Sequence, residues 1–161
     1  MVFGMGELMA VIGAAVALGV TGLSSAIALR TAGISGAGAV AENKENFKSA
    51  LVLQSLPQTQ TIYGFITALF IVMGAGLLGA TGKEVTMLEG MMMLGAGLIV
   101  AITGVSAILQ GMVASSGIIS SAKNQDAFVP SIVFTGQVET PAIFGFITAL
   151  IVLVVGMSVL G

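Results

Sequence analysis

The sequence predicts an all-α membrane protein, built from four long transmembrane helices arranged as two tandem helical hairpins. Three observations carry that expectation. Hydrophobic residues make up 57% of the 161 and charged residues only 7%, whereas ordinary soluble domains are about one quarter charged. The few charges gather in clusters that cut the chain into four apolar blocks. The second half of the chain repeats the first.

The first block runs from about Leu8 to Ala41 and contains one charge, Arg30. Small residues recur along it every fourth position, at Gly13, Ala17, Thr21 and Ser25 and again at Gly33, Ala37 and Ala41. Such faces let helices approach closely in lipid, either within one bundle or between protomers. No basic segment precedes this block, where Glu7 stands instead, and the apolar stretch is too long for the core of a cleavable signal. Met1 onward is therefore expected to belong to the mature chain.

The cluster Glu42-Asn43-Lys44-Glu45-Asn46 ends the first block, and the second spans about Phe47 to Ala80. Thr81-Gly82-Lys83-Glu84 and Glu89 make the next break. The third block covers roughly Gly90 to Ala122, and Lys123-Asn124-Gln125-Asp126 closes it. The last runs from Ala127 to Gly161 with a single charge, Glu139. A block of this size forms a helix of about 50 Å, more than the ~20 residues a bilayer requires. None alternates with a two-residue period, which excludes a β-barrel.

Under a shift of 81 residues, Gly64-Phe65-Ile66-Thr67-Ala68-Leu69 falls on Gly145-Phe146-Ile147-Thr148-Ala149-Leu150 without a mismatch. Asn43 then meets Asn124, Phe47 meets Phe128, and Ser25-Ala26-Ile27 meets Ser106-Ala107-Ile108. The match spans turns as well as apolar segments, so the chain reads as two fused copies of one hairpin, residues 1–81 and 82–161. Each copy crosses twice, which makes the repeats parallel. Lys44, Lys48 and Lys123 lie at the turns after blocks one and three, with Arg30 near enough to snorkel toward them; the opposite side has only Lys83. The positive-inside tendency puts turns 42–46 and 123–126 in the cytoplasm and both termini outside.

Composition excludes several functions. Cysteine and histidine are absent, which removes disulfides, zinc sites, thiolate nucleophiles and histidine bases. A net charge of −2 lacks the basic stripe that nucleic acid requires. Gly74-Ala75-Gly76-Leu77-Leu78-Gly79 fits GxGxxG, but it is expected inside a membrane helix and opens no βαβ unit. Gly82-Lys83 imitates the end of a P-loop, yet Glu84 stands where Ser or Thr is needed.

Glu139 stands out. It lies about 12 residues, or ~18 Å, into the last block, where an ionised carboxylate is costly unless it is paired. A structural, permanently protonated Glu is the bland alternative; other polar residues at matching depth argue against it. In block two, Leu56, Thr59, Gln60 and Tyr63 follow i, i+3, i+4, i+7 spacing and share one helical face. Pro57 leaves the Leu53 carbonyl without its helical partner, and Pro141 does the same to Gln137. Gln110 is the only long polar side chain deep in block three. One carboxylate with two amides, a hydroxyl and loosened carbonyls suits a hard monovalent or divalent cation rather than a transition metal. One negative charge matches one monovalent ion.

These features together resemble the duplicated proteolipid rotor subunit (c or K subunit) of V-type ATPases, in particular the bacterial sodium-pumping type. The resemblance covers nearly the whole chain. It rests on the duplication, on Leu56-Pro57-Gln58-Thr59-Gln60 followed by Tyr63-Gly64, on Gln110-Gly111 and on Val138-Glu139-Thr140. It implies a homo-oligomeric rotor ring in a bacterial plasma membrane. The ring would turn against a stator subunit with an essential arginine, with a central-stalk subunit at the cytoplasmic turns. ATP would be hydrolysed on other subunits, with no covalent cofactor here. It further implies that Glu139 carries Na+, that Thr59, Gln60 and Gln110 are side-chain ligands, that Leu56 offers its carbonyl, and that Tyr63 steadies the carboxylate. Gln58 stands where the second repeat has Glu139, which leaves one ion carrier per four helices.

Two other readings remain open on the residues alone: a free-standing four-helix channel or carrier using the same site, and a structural pore in which Glu139 is dispensable. The ion is also open between Na+ and H+. Oxygen ligands from three helices exceed what a proton needs, which favours sodium.

Overall fold

The computed structural model describes residues 4–78 and 84–159, with side chains through Gly156. Its described residues form four helical spans long and apolar enough to cross a membrane. The chain is an integral membrane protein. The first span is one helix, α1 (Met5–Glu42). The second comprises α2 (Phe47–Ser55), a 3₁₀ turn at Leu56–Gln58 and α3 (Thr59–Gly74). The third is α4 (Met87–Gly104) followed by α5 (Ser106–Lys123), and the fourth is α6 (Phe128–Gln137) followed by α7 (Thr140–Val159).

Both hairpin turns use one device. Asn43 and Asn124 leave the helical region, with φ of −151° and −147°. Their side-chain oxygens accept from Glu45 N at 3.0 Å and Asp126 N at 3.1 Å. A short polar side chain bonding two residues ahead reverses the chain cheaply, which accounts for Asn recurring at the same place in both repeats. Gln125 Nε2 donates to Asn46 Oδ1 at 3.0 Å, so the two turns lie together at one end.

The centre is an α1 against α4–α5 seam in which side chains nearly vanish. A Cβ at Gly97 would strike the Gly13 backbone, one at Gly90 the Gly6 backbone, and one at Gly111 the Ala28 backbone. Gly13, Ala17, Thr21 and Ser25 are all buried here, so this small-residue face packs within the chain. Ala37 and Ala41 stay exposed. The outer spans cover the seam: α3 rests on α1 and α4, and α7 rests on α4 and α3. Thr21 fits against Gly64, and Thr103 fits in the same way against Gly145.

Several expectations are corrected. The sequence extends the second block to Ala80, with Gly74–Gly79 inside a helix, but α3 ends at Gly74, and Gly79 and Ala80 lie outside the described residues. Gly76 has φ 68°, Gly76 N donates to Met73 O at 3.0 Å, and Leu77 N to Val72 O at 3.1 Å. That is a Schellman ending, which needs a residue free to adopt positive φ. The charge pattern places Glu89 in the break between blocks. It lies in the first turn of α4, where its carboxylate and the Thr86 hydroxyl form a capping box. The third span is interrupted at Val105, where Ile108 N reaches Val105 O at 3.0 Å. This tighter turn absorbs one residue, so Thr21 and Thr103 correspond with a shift of 82 while Ser25 and Ser106 correspond with 81. The division at residues 81/82, the Gly82-Lys83 pair and the Lys83 charge lie outside the described residues.

Candidate ion-binding site

The site forms where three spans meet and two of them are broken by proline. Pro57 lacks an N–H, and the chain answers with the 3₁₀ turn at Leu56–Gln58. Thr59 then opens α3, its N–H bonding to Leu56 O, and its hydroxyl reaches the same carbonyl at 3.1 Å. In the fourth span the helix breaks between Gln137 and Thr140, which puts Pro141 in the first turn of α7 where a missing N–H costs little. Glu139 occupies the break. Its N–H reaches Gly136 O at 3.1 Å, and its carbonyl accepts from Ala142 N at 2.9 Å and Ile143 N at 3.2 Å.

All six residues singled out in the sequence fall on one continuous hydrogen-bond chain. The Thr59 hydroxyl, shared with Leu56 O, approaches Gln60 Oε1 at 3.2 Å. Gln60 Nε2 donates to Gln110 Oε1 at 2.7 Å. Gln110 Nε2 donates to Thr135 O at 3.1 Å and stands 3.5 Å from Glu139 Oε2. The Tyr63 hydroxyl donates to Glu139 Oε1 at 2.6 Å, inside the short range typical of a charge-assisted bond. Gln60 and Gln110 are both 0% exposed. A buried amide left unpaired costs about 1–3 kcal/mol, so their mutual bond holds both in place. Tyr63 is further fixed by stacking on Phe146, with ring centroids 5.0 Å apart.

Two contributors were not foreseen. Thr135 lies one turn before Glu139, is fully buried, and lends its carbonyl to Gln110; its i, i+4 relation to Glu139 was the available signal. Phe146 had none, because its hexapeptide is identical in both repeats.

The chemistry of the assembly is that of oxygen donors around one carboxylate. No group of three or more His, Cys, Asp or Glu occurs among the described residues, so the set does not suit a multivalent or soft metal. Amide oxygens, a hydroxyl, a carbonyl and a single negative charge fit one small monovalent cation.

The family model for the ATP synthase C subunit matches the chain twice, over residues 12–71 and 94–152. The chain belongs to the ATP synthase C-subunit family. The two matches coincide with the two hairpins, and the chain is a duplicated proteolipid of that family. Proteins of this kind are membrane rotor components of rotary ATPases rather than the parts that hydrolyse ATP. Among its relatives is the A-type ATP synthase subunit K of Methanocaldococcus jannaschii, 40% identical over 143 residues, which are 89% of this chain and 60% of that longer protein. Another is the V-type sodium ATPase subunit K of Enterococcus hirae, 37% identical over 143 residues, 88% of each chain.

Proposed function

We propose that this proteolipid is the rotor-ring component of a sodium-translocating rotary ATPase, with Glu139 as the ion carrier. Gln110, Gln60 and Thr59 supply side-chain oxygens, Leu56 supplies its carbonyl, and Tyr63 holds the carboxylate. The observation that carries this reading is the continuous chain from Leu56 to Tyr63 that ends on Glu139. A proton needs one carboxyl in an apolar pocket. Sodium has to replace most of its hydration shell and needs several oxygens at once.

The mechanism follows from electrostatics. With Na+ bound, Glu139 forms a neutral pair that can travel past lipid. The empty carboxylate resists that exposure, so the ring turns forward loaded and does not slip back empty. Beside a cation on the stator, an arginine in this reading, the charged carboxylate is stabilised without its ion, and Na+ leaves. The turns at 42–46 and 123–126 face the cytoplasm and the central stalk, the termini face outward, and the membrane is a plasma membrane. Lys44, Lys48 and Lys123 support that orientation.

The test is radioactive sodium binding to the purified assembly. The expected result is one sodium per chain, lost in Glu139→Gln and retained in Gln58→Ala. Binding that survives Glu139→Gln overturns the assignment.

A further inference from the structure

A buried hydroxyl on α1 lies at the depth of the ion site and is left without a partner. On that helix Thr21 and Thr31 return their hydroxyls to the carbonyls four residues back, Ala17 O and Ile27 O, each at 2.8 Å. Such a bond is open to any Ser or Thr inside a helix. Ser25, between them, does not make it. The residue is 2% exposed, and its Oγ is buried with no hydrogen bond among the described residues. Its side chain is therefore not folded back onto its own helix.

The contacts on either side place it. Thr21 packs against Gly64, and Gln54 Nε2 donates to Leu29 O at 3.3 Å. Ser25, midway between Thr21 and Leu29, thus comes level with the turn from Pro57 to Gln60. Thr21 also meets Gly104, and Ala28 meets Gly111, which brings Ser25 level with Ala107 to Gln110. Both amides of the ion site are at that depth. Gln60 is 0% exposed, and its Nε2 carries two hydrogens. One goes to Gln110 Oε1 at 2.7 Å; among the described residues nothing accepts the other. Gln110 Oε1 takes that single bond and keeps a second lone pair. A hydroxyl, an amide hydrogen and an amide lone pair are left over at one level inside the protein, where unpaired polar groups are costly.

We propose that Ser25 and Gln60 hold one water molecule behind the ion site, and that this water fixes the direction in which Gln60 faces the ion. The second Gln60 N–H and the Ser25 hydroxyl donate to the water, and the water donates to the free lone pair of Gln110 Oε1. Three polar partners are what a buried water ordinarily has. The consequence concerns the amide. A half-turn about its last bond exchanges oxygen for nitrogen, and only the oxygen can ligate a cation. With Nε2 tied on two sides, Gln60 Oε1 is kept toward Thr59 and the ion. Ser25 is thus a positioning residue, acting on sodium through Gln60 alone. The proposal rests on the sodium reading of the site and adds to it the first span and a solvent molecule.

Sodium binding to the purified assembly tests it, with the unsubstituted chain as reference. Ser25→Ala removes a single oxygen. It is expected to raise the half-saturating sodium concentration roughly two- to tenfold, the contribution of one neutral hydrogen bond, with assembly intact. Two backgrounds show whether Ser25 acts through Gln60. In Tyr63→Phe the full shift should persist; in Gln60→Ala, where there is no amide to orient, it should vanish. An equal shift in both backgrounds makes Ser25 a packing residue and overturns the proposal, as does a Ser25→Ala assembly with unaltered sodium dependence. A density map of the sodium-loaded assembly should show one water between Ser25 Oγ and Gln60 Nε2, gone in Ser25→Ala. A map that resolves both side chains without that water overturns it as well. In each of these cases the unsubstituted assembly still binds sodium and the ion site stands. An unsubstituted assembly that binds no sodium overturns the sodium reading and this proposal together.

Discussion

The Tyr63 hydroxyl and the Glu139 carboxylate, 2.6 Å apart, join α3 of the first repeat to the break in the fourth span. The donor and the acceptor come from different copies of the duplicated hairpin, and their counterparts, Phe144 and Gln58, cannot form that bond. The two repeats thus differ at this depth, and the bond forms only at the contact inside the chain.

Removing the bond should loosen the ion without dismantling the assembly. Hydrogen bonds to charged groups contribute about 1.5–3 kcal/mol, so Tyr63→Phe is expected to raise the half-saturating sodium concentration roughly ten- to hundredfold. Native gels should show unchanged assembly. An unaltered sodium dependence would remove Tyr63 from the site.

Glu139→Gln should abolish coupled transport in reconstituted vesicles while assembly persists, because only an ionisable oxygen is lost. Gln58→Ala should be far milder, since the position is exposed and carries no charge. Equal loss of pumping in both variants contradicts an asymmetric pair of repeats.

Gln110→Ala should cost both stability and ion protection. It strips the buried Gln60 amide of its acceptor and the Thr135 carbonyl of its donor, a loss of about 1–3 kcal/mol for each group left unpaired. Thermal dissociation of the detergent-solubilised assembly should shift downward. A transition at the original temperature would mean that the two amides are not coupled.

Most of this site was legible in the sequence because its geometry is local. Leu56, Thr59, Gln60 and Tyr63 share a face by helical spacing, and a carboxylate in an apolar block has few alternatives to function. The Asn43/Asn124 match was visible as a repeat, though its cause, a side-chain-driven turn, needed coordinates. What escaped were features where one residue type serves two purposes. Gly76, expected inside a membrane helix as part of the GxGxxG run, is instead a helix terminator. Glu89 looked like a loop charge and caps a helix. The tightened turn at Val105 carries neither glycine nor proline; its trace is the single residue missing between Thr103 and Ser106 relative to Thr21 and Ser25.

Packing gives a prediction independent of the ion. Gly64→Leu would drive a side chain into Thr21 and the Ala17 carbonyl, and overpacking of this kind costs about 1–3 kcal/mol or more. Gly19→Leu meets nothing inside the chain. Thermal unfolding of the detergent-solubilised chain should therefore drop for the first and hold for the second; equal stability would contradict the seam.

The central claim is that sodium itself sits on Glu139. The direct measurement is the rate of carbodiimide labelling of Glu139 as sodium is raised at one fixed, mildly alkaline pH. The reagent attacks a protonated carboxyl, so a bound sodium ion should slow labelling in a saturable way, and Gln110→Ala should shift that protection to higher sodium. Labelling that follows pH and ignores sodium would contradict the claim and leave a proton as the ion.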